Sequence, residues 1–397
     1  MRLKEFNILS NYGAAEKTLA VGFFVLLTGM FWVGSRSNYH QAYYFIFALP
    51  ALSTFFFAKH QCLELFQTKS FLLYLFLAGY MLLSVAWSDT NTAFFSLLKR
   101  PLYIALLFVG VFVLIRKDRD HFESLLMLCL YGGTLAALYF LAHHFLYAQG
   151  GRLTGHGALH NPLLTAHVFG MYAAFTLAIL TSRQQHKLLL AGMLAIFVAL
   201  LLMTGSRTPI VGLVAASAWL AFTKADKRTV AVMALVGLCL TTLVAIKPEI
   251  LMARGLSYRP EIWHQALIQI SERPFFGYGF DNNSRFFVAE LNTSFHDPHN
   301  FFLGVLHAGG VVGLILWGAL MATLLVAGWK MRSDWLALAA STALVFGLAS
   351  SLTEGDSFLS RPKEHWFLIW IPFSILIGMI AKNQAEARRF VTLYRKD

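Results

Sequence analysis

Long apolar runs separated by short polar segments dominate the chain. Most of these runs approach the roughly 20 residues that an α-helix needs to cross the hydrocarbon core of a bilayer. We therefore predict an all-α polytopic membrane protein of about twelve transmembrane helices, with the count open by one or two. The runs are 18–33, 42–58, 71–87, 101–115, 124–147, 163–180, 188–204, 209–222, 229–246, 301–329, 335–352 and 366–381.

The distribution of basic residues predicts the orientation of these helices. If the chain starts in the cytoplasm and crosses twelve times, 20 of the 32 Lys and Arg residues fall on the cytoplasmic side, while Asp and Glu divide evenly. The positive-inside rule describes this asymmetry, so we expect both termini to be cytoplasmic. The basic tail, residues 382–397, is expected to lie against anionic membrane lipids.

One connection is much longer than the others. Residues 247–300 form a predicted outside loop that carries most of the polar side chains of that face. Long loops in compact proteins often carry function, and we expect this one to contain short amphipathic helices. Its basic and acidic residues nearly balance, so an anion site there must be local. We treat 1–397 as a single membrane-embedded domain.

Composition excludes several classes of protein. The chain is 57% hydrophobic and 13% charged, against about 25% charged residues in an ordinary soluble domain. The chain has a formal net charge of +12, and its basic residues lie between the apolar runs. This distribution favours contact with a membrane surface, and we predict no nucleic-acid partner. Three cysteines without a C-x-x-C pair support neither a disulfide framework nor a thiolate zinc site. The first apolar run is followed by many others, so we expect a retained helix rather than a cleaved signal peptide.

The first candidate site element is the segment Gly205-Ser206-Arg207-Thr208-Pro209, at an outside junction between two predicted helices. Pro209 suits the first turn of the second helix, and Ser206 or Thr208 is a suitable cap. A helix N-terminus beside Arg207 favours an anion such as phosphate. The alternative is an interfacial arginine that reaches lipid headgroups.

The second element is Ser257-Tyr258-Arg259-Pro260-Glu261-Ile262-Trp263 in the long loop. Helical spacing of Ala266, Leu267 and Ile270 after it predicts an amphipathic helix lying on the membrane and ending near Pro274. Arg259 then stands at a helix N-terminus, where it is suited to grip a phosphate. The alternatives are a structural ion pair for Arg259 and an interfacial anchor, rather than a sugar contact, for Trp263.

The third element is His296-Asp297-Pro298-His299-Asn300, where the long loop returns to the membrane. Two histidines suggest a metal, but no third ligand lies at diagnostic spacing, so we predict none. Neutral imidazole accepts a proton near neutral pH, which makes a general base the simpler hypothesis. This hypothesis requires that the histidine lie close to Arg207 and Arg259. A structural histidine is the alternative.

Other signals are weaker. Arg152, in an outside glycine-rich turn, is a further candidate contact for an anionic group. Asp118-Arg119-Asp120 has the D-x-D spacing of metal-dependent sugar transferases, but a short cytoplasmic turn is the favoured interpretation. Gly309, Gly310 and Gly313 favour close helix packing.

An arginine after Gly-Ser at the end of one span, R-x-x-x-W in a long outside loop, and H-N-x-x-L at the start of the next span together resemble the O-antigen ligase family. The resemblance covers residues 205–303. It implies that Arg207 and Arg259 bind the diphosphate of an undecaprenyl-diphosphate-linked glycan and that His299 is catalytic. His296 lacks the following Asn and is a weaker candidate. Arg152, His296, Asn300 and Trp263 remain possible substrate contacts.

The resemblance further implies a metal-independent, inverting glycosyltransferase of the glycosyltransferase C type that needs no cofactor. It would act in lipopolysaccharide biosynthesis at the Gram-negative inner membrane, transferring a glycan to lipid A–core on the periplasmic face. O-antigen polymerases and protein O-oligosaccharyltransferases share the donor chemistry and remain alternatives.

A twelve-helix secondary transporter is the alternative from another functional class. Transporters place ionisable residues near the membrane midplane and break helices there, often in two related halves. Here the charges stay at the ends of the spans and no similarity between halves is apparent. The enzyme is therefore the favoured hypothesis.

Overall fold

The computed structural model describes residues 13–394 apart from 58, 149, 184, 228, 232, 235, 236, 238–257 and 355–357. The described chain is mostly helical, and every predicted apolar run except 229–246 lies on helices. The 229–246 run falls largely outside the described residues. Six described helices have the length and apolar composition of a membrane span, and three shorter apolar helices accompany them. The described helices thus support a polytopic membrane protein, and the count of twelve spans stays a prediction.

Helices of the first half are α1 (Ala14–Trp32), α2 (Arg36–Tyr43), a π-turn (Tyr44–Ala48), α3 (Leu49–Phe57), α4 (Lys59–Phe66), α5 (Lys69–Ser84) with a 3₁₀ turn (Val85–Trp87), α6 (Phe94–Lys117), α7 (Arg119–Tyr147) and α8 (Pro162–Ser182). The remainder are α9 (Lys187–Met203), α10 (Thr208–Lys224), α11 (Arg259–Glu272), α12 (Phe301–Lys330), α13 (Trp335–Ser350), α14 (Glu364–Leu368) and α15 (Trp370–Tyr394).

Short polar side chains start several of these helices. Asp118 accepts a hydrogen bond from the His121 amide at the start of α7, and Asp334 caps α13 in the same way. Such caps satisfy backbone N–H groups that have no partner within the helix. Arg119 also forms an ion pair with Asp334, 2.6 Å between nitrogen and oxygen. The D-x-D segment is therefore part of a structural connection, as the sequence favoured.

Helix α13 lies at the centre of the bundle and packs against α8, α10 and α15. Nearly all of its side chains are buried. Small residues permit the close approach: a Cβ at Gly347 would meet the Leu368 carbonyl, and one at Gly212 would meet Phe346 and Ser350. This packing brings the 351–354 connection after α13 beside the start of α10.

The long loop is not purely helical, which corrects the all-α prediction. It contains α11 and an antiparallel hairpin of β1 (Phe286–Val288) and β2 (Thr293–Phe295). The predicted bounds of α11 are confirmed, with Pro260 in its first turn and its end before Pro274.

The buried face of α11 meets protein. Ile262 and Ala266 pack with Phe286 and Val288 of the hairpin. Protein therefore covers Ala266, while Leu267 is exposed. Contact of α11 with the membrane stays a prediction.

Helix α12 is interrupted at Gly310, whose φ of 60° and ψ of −164° are not helical. The long loop fills the interruption with backbone hydrogen bonds. Val311 N–H donates to the Pro274 carbonyl, and Tyr278 and Gly279 N–H donate to the His307 and Ala308 carbonyls at 2.9 and 2.8 Å. The sequence predicted that Gly309, Gly310 and Gly313 allow close helix packing. Gly309 and Gly313 do lie against Met81 and Tyr80, whereas Gly310 breaks the helix.

Candidate functional site

Arg152 and the Ser206–Thr208 segment lie together at one end of the bundle. Arg152 Nε donates to the Thr204 carbonyl at 2.6 Å, and its Nη2 donates to Ser206 Oγ at 2.8 Å. Thr208 Oγ1 lies 3.1 Å from Thr353 Oγ1. The segment that carries Arg207 is therefore held between Arg152 and the connection after α13.

The expected cap of α10 is wrong. The helix begins at Thr208 with Arg207 as its N-cap residue, and no side chain accepts a hydrogen bond there. The hydroxyls of Ser206 and Thr208 are engaged with Arg152 and Thr353 instead. Pro209 does occupy the first turn, as predicted. Arg207 is half-buried at this junction.

Arg259 reaches the same connection from the long loop. It is the first residue of α11, and its Nη2 forms an ion pair with Glu354, the residue after Thr353. Glu354 is 5% exposed. Arg259 Nε is buried without a hydrogen-bond partner among the described residues. The structural ion pair left open by the sequence thus exists, and it brings Arg259 to the Arg207 side of the site.

His299 lies beside this ion pair. Its Nδ1 is 3.1 Å from Asp297 Oδ1 and 3.9 Å from Glu354 Oε2. Its backbone N–H also donates to Asp297 Oδ1 at 2.7 Å, which supports a left-handed backbone with φ of 48°. Carboxylates beside Nδ1 favour the tautomer with the proton on that nitrogen, in which Nε2 is the hydrogen-bond acceptor. The imidazole is 34% exposed.

Two of the predicted contacts support the turn that holds His299. Trp263 is half-buried, and its Nε1–H donates to the Pro298 carbonyl at 3.0 Å. Asn300 Oδ1 caps α12 by accepting from the Phe302 and Leu303 amides, and its Nδ2 donates to the Leu352 carbonyl. Both side chains therefore fix backbone on either side of His299.

His296 has other partners than His299. Its Nε2 contacts Arg285 Nη1, and its ring lines a cavity next to the turn. The two histidines of the H-D-P-H segment thus have different partners, which disfavours a shared metal site.

Glu354 is a site residue that no sequence motif marks. It stands in the connection after α13, where a single carboxylate gives no motif. Burial raises the pKa of its carboxyl group, and the charges of Arg259 and His299 oppose that rise. Only the fold shows that this carboxylate contacts a residue 95 positions earlier and the imidazole of His299.

The arrangement has a definite chemical capacity. Guanidinium groups beside the start of α10 and at the start of α11 are suited to a phosphate-bearing leaving group. An imidazole oriented by carboxylates through one nitrogen is suited to accept a proton at the other. Together they can stabilise a departing phosphate oxygen and activate a hydroxyl.

Comparison with known proteins agrees with this geometry. A family model described as O-antigen ligase matches residues 192–318, which include Arg207, Arg259 and His299. An O-antigen ligase from Pseudomonas aeruginosa is 43% identical over 375 residues, spanning 94% of this chain and 92% of that protein. Similarity of this extent across nearly the whole of both chains shows that the chain belongs to the O-antigen ligase family.

Proposed function

We propose that this protein transfers a glycan from undecaprenyl diphosphate to a sugar hydroxyl of lipid A–core in lipopolysaccharide biosynthesis. The contacts of Glu354 with Arg259 and His299 carry the proposal, because a guanidinium suited to phosphate and an imidazole suited to a base then share one carboxylate. The reaction takes place at the periplasmic face of a Gram-negative inner membrane, with both termini in the cytoplasm.

His299 Nε2 accepts the proton of the acceptor hydroxyl as its oxygen attacks the anomeric carbon of the donor sugar. The bond from that carbon to the diphosphate oxygen breaks, and its electron pair leaves with undecaprenyl diphosphate. Attack opposite the leaving group inverts the anomeric configuration. Arg207 and Arg259 stabilise the developing charge on the diphosphate, as preorganised cations do in other transfer reactions.

In this scheme the arginines take the part that a metal ion plays in other sugar transferases. The overall class is a membrane glycosyltransferase of the glycosyltransferase C type. Arg152 supports the segment that carries Arg207, while Trp263 and Asn300 hold the turn around His299.

The first test is transfer in vitro by purified protein with undecaprenyl-diphosphate glycan and lipid A–core in EDTA. We expect activity from the wild type and a loss of about 10² to 10⁴-fold from His299→Ala, the usual contribution of a general base. His264→Ala, which removes an exposed histidine of α11, is the matched control and should stay active.

The outcomes separate the alternatives. Lengthening of the donor glycan without transfer to lipid A–core would indicate a polymerase, and transfer to a protein would indicate an oligosaccharyltransferase. Uptake of substrate by proteoliposomes without release of undecaprenyl diphosphate would indicate a transporter. Full activity of His299→Ala would remove the proposed base.

A further inference from the structure

A cavity of about 290 Å³ lies beside the turn that carries His299. Its walls come from the loop at 280–283, from the turn at 296–298, from Arg100 of α6 and from the first turns of α12. This volume is near the lower end of the size range of ligand pockets, which suits one small ring.

The cavity lies next to the candidate base. Asp297 lines it and also contacts His299 Nδ1 at 3.1 Å. Glu354 contacts the same nitrogen and pairs with Arg259, and neither Glu354 nor Arg259 lines the cavity. The cavity and the Arg259–Glu354 pair are therefore two distinct surroundings of His299.

The charge of the lining argues against a phosphate. Arg100 is the one Lys or Arg residue in the described lining, and its Nη1 forms an ion pair with Asp281 at 2.5 Å. Asp297 adds a second carboxylate, so the Arg and Asp residues of the described lining sum to a formal charge of −1. A diphosphate would meet repulsion here, whereas Arg207 and Arg259, outside this lining, attract it.

The same lining suits an uncharged sugar. Carboxylate, guanidinium and amide groups of Asp281, Arg100 and Asn283 offer hydrogen bonds of both polarities for hydroxyl groups. The buried rings of Phe280 and Phe286 provide an apolar wall. Apolar walls with a few placed polar groups are typical of small-molecule sites.

The cavity is also held in shape. Asp281 accepts hydrogen bonds from Arg100 and from Thr90 Oγ1, at 2.9 Å for the latter, and Ser88 Oγ donates to the Phe280 carbonyl. Burial alone would raise the pKa of Asp281, yet hydrogen bonds from Thr92 and Arg100 hold it below its ordinary value. These ties fix the long loop to the start of α6, so little order need be gained on binding.

We propose that the cavity lined by Arg100, Asp281, Asn283, His296 and Asp297 binds an uncharged sugar of the acceptor glycan, next to the turn that carries His299. This inference rests on the proposed function, because it gives the acceptor of that reaction a binding site of its own. The diphosphate of the donor binds Arg207 and Arg259, outside this cavity.

The test uses full-length protein in detergent and two variants. His296→Trp obstructs the cavity from an exposed position, and Arg100→Gln removes its cation while keeping an amide. Glu290→Gln, exposed on the hairpin turn and away from the cavity, is the control. Calorimetry measures binding of delipidated core oligosaccharide and of inorganic pyrophosphate, and transfer assays give KM for acceptor and donor separately.

We expect both variants to weaken oligosaccharide binding and raise the acceptor KM by about tenfold or more, as for a lost hydrogen bond to a charged group. Pyrophosphate binding and the donor KM should stay within about twofold of the wild type. Arg259→Ala should show the opposite pattern. Thermal unfolding of each variant identifies any that fails to fold.

Wild-type affinities and KM values in both folded cavity variants would overturn the subsite and leave the proposed function intact. Oligosaccharide binding that both variants lose, without transfer by the wild type, would support the subsite and count against the proposed function. A parallel loss of pyrophosphate binding in the cavity variants would overturn the division of the site.

Discussion

Glu354 is a buried carboxylate between a guanidinium and an imidazole. Burial of a charged group costs free energy unless it is paired, and the ion pair with Arg259 offsets that cost only in part. In the proposed reaction, a diphosphate that binds Arg259 competes with Glu354 for the same cation. On that proposal, the carboxylate holds Arg259 in place while no donor is bound.

This raised pKa has a consequence for stability. A carboxyl group whose pKa is higher in the folded state than its ordinary value of 4.5 stabilises the fold more as the pH falls. As the pH falls from 7 towards 5, we expect the thermal midpoint of the wild type to rise relative to that of Glu354→Gln, which cannot titrate. Differential scanning fluorimetry in detergent measures both proteins across this range. A constant difference, or one of opposite sign, contradicts the prediction.

Individual site residues differ in how far sequence identifies them. Arg259 and His299 stand in local motifs, R-x-x-x-W and H-N-x-x-L, so the resemblance located both. Glu354 belongs to no motif, and its role follows from packing of α13 against α10. The Asp297 contact lies within the H-D-P-H segment, but the left-handed backbone of His299 that permits it is not encoded in residue type.

Secondary structure elements bring these residues together through a broken helix. Gly310 interrupts α12, and the turn after α11 supplies the backbone partners that the interruption needs. A Cβ at Gly310 would collide with the Phe275 carbonyl. This glycine therefore determines where the long loop docks.

Replacement of Gly310 by Ala should destabilise the protein. Its φ and ψ belong to a region that only glycine adopts readily, and strain of this kind costs about 1 to 3 kcal/mol. Gly318→Ala is the matched control on the same helix, because nothing lies within 4 Å of a Cβ there. We expect a lower thermal midpoint and reduced transfer for Gly310→Ala and little change for Gly318→Ala. Equal thermal midpoints for the two variants would show that alanine at position 310 causes no backbone strain.

Element boundaries were predictable where proline or a cap marks them. Pro260 and Pro274 bracket α11, and its observed bounds agree with that prediction. The hairpin was missed because each strand has three residues, too few for an alternating pattern. Helical spacing shows that one face of a helix is apolar but not what covers that face. The sequence analysis therefore placed the apolar face of α11 against the membrane.

The whole molecule places its two polar networks at opposite ends of α12. His299 and Glu354 lie at the Phe301 end, whereas Arg119, Asp334 and Glu123 form a network beyond the Lys330 end. The assignment of these two ends to different sides of the membrane stays a prediction. Hydropathy was sufficient to predict the apolar helices, because lipid imposes it directly.

Orientation is tested by cysteine labelling in intact spheroplasts with a membrane-impermeant maleimide. In a background without the three native cysteines, Ser294→Cys on the hairpin should react, and Glu386→Cys in the tail should react only after permeabilisation. Both side chains are exposed, so accessibility within the protein does not limit the reaction. The reverse pattern would invert the topology, and labelling of both would show that the tail is not cytoplasmic.

The docking of the long loop on α12 uses peptide groups, at Val311, Tyr278 and Gly279 among others. Without the loop, peptide groups at the break in α12 would lose these partners. A synthetic fragment of the loop likewise lacks the carbonyls and amides of α12 that give it shape. Inhibitors and antibodies against this surface should accordingly be selected on the intact membrane protein rather than on an isolated loop peptide.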